Sequence, residues 1–149
     1  MPVKYQKVDP HMGLFEVYKE HMQPFIQDLF AWDEEFQKQG FSRALRREDF
    51  RWVIIDDVKA GIIHRQAENE IIKISLLVIF RQFQRRGFGY RLMTSLVDST
   101  GAGKTLTWNC LKNNAPALAL YNKIEGAERT EADYFYCYTY QNPRLARDQ

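Results

Sequence analysis

The six residues Gln84-Arg-Arg-Gly-Phe-Gly89 are the part of this chain best suited to chemistry, because of what stands on either side of them. Before them, Ile71 to Phe80 is rich in Ile, Leu and Val, as a buried strand should be. After them, Phe88, Leu92, Leu96 and Val97 recur at helical spacing, and Ser99-Thr100-Gly101 supplies a stop. A strand that ends in a glycine-containing turn and feeds a helix aims several free backbone N–H groups at one point. The positive end of the helix dipole lies behind them, so the turn suits a phosphate or pyrophosphate. Gly87 and Gly89 are expected to let the backbone approach a ligand closely, and Arg85 and Arg86 add cationic reach. A basic turn with no ligand is the plain alternative. A dinucleotide fingerprint is excluded because Leu92 stands where its third glycine belongs. Gly101-Ala-Gly-Lys-Thr105 has Asp98 in place of the first P-loop glycine and leads into a strand-like run. It reads as a helix cap and connection.

The elements that must position this turn follow from the pattern. Val3 to Val8 reads as a strand. Asp9-Pro10 opens a helix running to about Met22, and Pro24 opens or kinks a second, with Phe25, Leu29, Trp32 and Phe36 on one stripe and an end near Gly40. Strands are expected at 51–56, 58–67 and 70–80, the first two joined by a tight turn at Asp56-Asp57. A helix over 88–99, a strand over 104–110, a helix over 115–124 capped by Asn113 or Asn114, and strands over 127–131 and 134–141 complete the order. The result is a mixed α/β domain whose site lies where the strand over 70–80 meets its helix.

Composition narrows the class. A chain of 149 residues makes one ordinary domain, here residues 1–142 with a loose tail over 143–149, and 45% hydrophobic and 14% aromatic residues argue against disorder. A net charge of +2 with interspersed signs gives no extended basic surface, so no nucleic-acid partner is expected. No signal peptide or bilayer-length apolar run is visible, which points to a cytoplasmic protein with no membrane partner. Cys110 and Cys137 have no His or Cys at metal spacing, so they read as reduced core residues and no metal is expected.

Gln84-x-x-Gly87-x-Gly89 after an apolar strand resembles the acetyl-CoA signature of the GNAT-type N-acetyltransferases, and Asn114-x-x-Ala117-x-x-x-Tyr121 resembles that family's second element. The two occur in the right order, about thirty residues apart with one strand between. Two departures stand out: Arg81 replaces a frequent proline, and Tyr121-Asn-Lys-Ile-Glu-Gly126-Ala127 is one residue longer than usual and lacks an aromatic. The resemblance implies the GNAT fold, a mixed and mostly antiparallel central sheet flanked by helices, with acetyl-CoA as co-substrate. It places the cofactor against Leu77, Ile79, Gln84, Arg85, Arg86, Gly87, Phe88, Gly89, Tyr90, Asn114, Ala117 and Tyr121. It also assigns Tyr121 as the general acid that protonates the leaving thiolate.

A substrate ammonium must also lose a proton, and Glu70, Glu68 and His64 lie on strands approaching the site, with Glu70 taken as the candidate base. With no Ser/His/Asp or Cys/His arrangement visible, direct attack in a ternary complex is expected. Asp28, Asp33, Glu34 and Glu35 would draw a cationic amine, or form the solvated face of an ordinary helix. Three classes stay open: an N-acetyltransferase acting on a small-molecule or peptide amine, a non-catalytic acyl-CoA sensor, and a nucleic-acid binder using Arg43, Arg46, Arg47, Arg85 and Arg86. Pairing of two copies through an exposed edge strand would give a homodimer.

Overall fold

The computed structural model describes residues 2–144, so most of the expected tail lies outside the described residues. Strands β1 (Val3–Lys7), β2 (Phe50–Ile55), β3 (Val58–Glu68), β4 (Ile71–Ile79), β5 (Thr105–Leu111), β6 (Ala127–Glu131) and β7 (Phe135–Gln141) form one sheet in the order β1-β2-β3-β4-β5-β7-β6. Every neighbouring pair is antiparallel except β4 and β5, which run parallel. Helices α1 (Leu14–Leu29) and α2 (Glu34–Ala44) pack on one face, and α3 (Phe88–Asp98) and α4 (Ala115–Tyr121) on the other. The mixed, mostly antiparallel α/β architecture expected from the sequence is the one observed.

Local chemistry explains most boundaries. Asp56 and Asp57 both take positive φ (53° and 66°), as the tight hairpin joining two right-twisted strands requires. Asn114, rather than Asn113, caps α4, its side chain accepting from Ala117 N at 3.3 Å. The first two helices differ from expectation. Asp9-Pro10 does not open α1, because Arg47 draws the carbonyls of Asp9 and Met12 to itself (2.9 and 2.7 Å) and holds that segment as a turn. Pro24 lies inside α1 rather than at a helix start, and the break comes later, where Asp33 accepts from Phe36 N and starts α2. Phe36 is consequently 71% exposed and not part of an apolar stripe.

Two bulges set which side chains face which layer. The register between β2 and β3 shifts at Val53/Ile54, and that between β3 and β4 at His64/Arg65. The second leaves Ser75 as an extra residue, so Ile74 packs under α3 while Leu76 packs under α1, two positions that an unbroken strand would put on one face. The α3 side holds Val53, Ile63, Leu92, Leu96, Leu106 and Trp108. The α1 side holds Leu14, Phe50, Ile62, Leu76 and Val78.

Candidate active site

The site begins where β4 and β5 separate. Their pairing runs from Ile71↔Thr105 only to Ile74↔Trp108, while β4 continues to Ile79 and β5 to Leu111. On its other edge β4 stays on β3 to the end. Phe80 N donates to Ala60 O at 2.8 Å, and with Gly61↔Ile79 in register this makes 60/80 a hydrogen-bonded pair. Alternation along an antiparallel ladder then turns the N–H and C=O of Leu77 and Ile79 away from β3, into the gap. Gln84 closes one of these positions, its Nε2 donating to Ile79 O at 2.9 Å. The backbone approach behind this edge is close: a Cβ on Gly61 would lie 1.9 Å from Val78 O.

The turn after β4 is shaped by two left-handed residues, Arg85 (φ 63°) and Gly87 (φ 76°), the second capping α3. Among the described residues no partner meets the backbone N–H groups of Arg85 to Tyr90. The first one engaged belongs to Arg91, which donates to Gly87 O at 3.1 Å. Six free donors stand at the positive end of an 11-residue helix, an arrangement whose electrostatics favour an anion. Arg85, Arg86 and Tyr90 are exposed beside it, and the Arg86 guanidinium lies 5.7 Å from the Phe83 ring centre. Phe88 contributes only backbone, because its ring is buried and stacks on Phe83. Gly87 faces open space, whereas a Cβ on Gly89 would meet Leu120 Cδ2 at 3.0 Å. The missing side chain of the second glycine therefore lets α3 pack closely on α4, while its backbone N–H stays among the six free donors. Arg91 fixes α3 to the β2–β3 turn through a two-pronged pair with Asp56, both contacts 2.9 Å. That partner holds the Asp56 carboxyl below its usual range.

α4 forms the other wall. The Asn114 side chain is engaged as its cap, Ala117 stands in its first turn, and Tyr121 ends it, packed edge-on against Trp108 (5.8 Å) and tilted on Tyr138 (5.5 Å). Trp108 is the last β5 residue still paired with β4, so Tyr121 sits where the strands part. Burial pushes its phenol well above the usual range, with Cys110 and Tyr138 adding to the effect. Cys110, two residues along β5, is itself pushed up to about 11 by burial.

The candidate bases are not brought to this point. Glu70 lies exposed in the β3–β4 turn, seven residues before Leu77, which at about 3.3 Å per residue is roughly 23 Å away. Glu68 is equally exposed at the same end. His64 is fully buried on the α1 side against Phe50, at 4.9 Å. Of the acidic residues near α2, Glu34 is held by Lys19 and Trp32, and Asp33 is a cap. The arginines considered for nucleic acid are partly engaged as well, Arg47 with backbone carbonyls and Arg46 with Glu48. Among the described residues no cluster of His, Cys, Asp or Glu would hold a metal, and no helix is long and apolar enough to cross a membrane.

A family model, Acetyltransferase (GNAT) family, matches residues 14–126, a span covering both walls of the gap. The chain belongs to the GNAT family. No curated protein gives a sequence match. Solved structures similar to this GNAT chain include PH1933 from Pyrococcus horikoshii OT3, with 16% identity, TM-score 0.63, and coverage of 94% of this chain and 98% of that one. The PaiA N-acetyltransferase from Thermoplasma acidophilum, crystallised with coenzyme A, gives 12% identity, TM-score 0.61, and coverage of 95% and 99%. The ribosomal-protein-S18-alanine N-acetyltransferase from Escherichia coli gives 14%, 0.58, and 99% of both chains. At such identities the likeness establishes the shared fold.

Sequence reasoning passed over two polar residues beside the gap. Asn113 was weighed only as a cap, yet its Nδ2 donates to Phe25 O at 2.9 Å. His21 carried no signal, since a lone His on a helix is unremarkable until its neighbours are known.

Proposed function

We propose that this GNAT protein is an acetyl-CoA-dependent N-acetyltransferase that moves an acetyl group to a primary amine of a small molecule or peptide. The observation that carries the reading is the free edge of β4 ending in the six-donor turn. It offers hydrogen bonds to an extended amide-bearing arm at Leu77 and Ile79, then a cradle for a pyrophosphate at Arg85 to Tyr90. Acetyl-CoA has that order of groups, so the chain's residues fit it. Arg85 and Arg86 add charge to the anion, and Asn114 and Ala117 hold α4 against the arm.

The chemistry asked of the protein is modest. The N–H of Ile79 or a neighbour polarises the thioester carbonyl. Tyr121 keeps its proton until a thiolate leaves. Burial raises the phenol, so Tyr121 is protonated at neutral pH and has a proton to give to the departing thiolate. No acyl-enzyme is required, because the buried Cys110 thiol, pushed up to about 11, stays protonated and a poor nucleophile.

Calorimetric titration with acetyl-CoA, CoA and NAD tests this. Binding of both CoA species and not NAD is the expected result, followed by acetylation of at least one amine in a panel of polyamines, amino acids and peptides. CoA binding without any acetylation would favour a sensor, and no binding would remove the reading.

A further inference from the structure

One turn of α1 bridges the mouth of the gap. His21 lies 6.4 Å, ring centre to ring centre, from Phe80, the residue that follows β4. Four residues later, Phe25 O accepts from Asn113, two residues past the end of β5. His21 and Phe25 share one face of the helix, about 6 Å apart along its axis. The segment therefore spans the ends of the two diverging strands.

Two polar atoms on this span are buried and lack a partner among the described residues: His21 Nε2 and Asn113 Oδ1. Both are acceptors. A carbonyl oxygen can only accept, so the His21 nitrogen 3.0 Å from Val17 O, Nδ1, carries the proton and Nε2 keeps its lone pair. By the same logic Asn113 presents Nδ2 to Phe25 O and leaves Oδ1 free. Buried acceptors are normally satisfied, and leaving them unmade is costly. Two of them on this span complement a molecule that carries a hydrogen-bond donor at its reacting end and another further along.

Resting on the acetyl-transfer reading, we infer that His21 Nε2 receives the acceptor's primary amine and serves as the base expected at Glu70, while Asn113 Oδ1, further along the span, takes an N–H or O–H elsewhere on the acceptor. The ammonium gives one proton to Nε2, which releases it to solvent. Its nitrogen then bonds to the thioester carbon as the carbon–sulfur bond breaks. The thiolate takes a proton from Tyr121, and the proton shed by the newly acylated nitrogen restores the phenol. Pro24, between His21 and Phe25, lacks the N–H that would bind the Glu20 carbonyl, which leaves this turn of α1 one hydrogen bond weaker.

Imidazole 15N spectra of the CoA-loaded protein test the assignment without needing turnover. Adding putrescine, ethanolamine or an alanine-initiated peptide amide at millimolar concentration should move the His21 Nε2 resonance for at least one of them. For that amine His21→Gln should lower kcat about a hundredfold at pH 7, acetyl-CoA affinity unchanged. That deficit should close as pH nears about 10, where the amine is neutral unaided. Asn113→Ala should raise the amine KM about tenfold. An Nε2 resonance indifferent to all three amines in protein shown to bind CoA, or a deficit independent of pH, would overturn the inference. Failure to bind CoA would instead remove the acetyl-transfer reading and this inference with it.

Discussion

Tyr121 ends a short helix with its ring clamped by Trp108 and Tyr138, so its replacement by Phe preserves the packing and removes only the hydroxyl. Tyr121→Phe should lower kcat about a hundredfold while acetyl-CoA affinity changes less than about twofold, measured by steady-state kinetics beside calorimetry. His64 makes a separate prediction. It is fully buried, and burial lowers its pKa below the ordinary value near 6.5, outweighing Asp49 at 3.9 Å. The unfolded chain therefore binds this proton at a pH where the folded one does not. Stability from this residue is complete above about pH 6.5 and declines as pH falls below it. Thermal melts should show that acid-side slope flatten in His64→Leu; an unchanged slope would place the acid sensitivity elsewhere. At this scale the positions of Gly87 at the start of α3 and of Tyr121 on α4 were legible, because they follow from spacing along the chain. Asn113 and His21 were not, since what distinguishes them is a missing partner in space.

Elements carry the next level of prediction. Gly87 caps α3 at φ 76°, where a side chain costs about 1 kcal/mol, so Gly87→Ala should lower the melting temperature slightly and weaken acetyl-CoA binding more. Gly61 is a harsher case. A methyl there would press on Val78 O, forcing β3 and β4 apart at the rung behind Ile79. Gly61→Ala should destabilise the protein by about 1–3 kcal/mol in urea melts and lower acetyl-CoA affinity as the free edge shifts. The strands themselves were readable to within about two residues, because apolar alternation and the Asp56-Asp57 turn are local signals. The starts of α3 and α4 were equally readable, but those of α1 and α2 were not. The true start of α1 depends on Arg47, distant in sequence, taking the carbonyls that an Asp9 cap would have used. The bulges were equally invisible, although Ser75 decides which residues of β4 face which layer.

Across the whole molecule, element order and the mostly antiparallel sheet were legible. The insertion of β7 between β5 and β6 was not, because neighbours in a sheet need not be neighbours in the chain. The sheet has one weak seam: four residue pairs join β4 to β5, while the ladders on either side run to six or more. The chain crosses that seam once, through α3 and the Gly101-Ala-Gly103 connection. Cleavage in that connection would leave one fragment with β1 to β4 and α1 to α3, and another with β5 to β7 and α4. Each would keep its own antiparallel ladder, and a ligand laid along the free edge of β4 and against α4 would touch both. The fold therefore lends itself to a split-protein test. Its two pieces, mixed in sedimentation experiments, should associate more tightly when acetyl-CoA is present, converting occupancy of the gap into assembly.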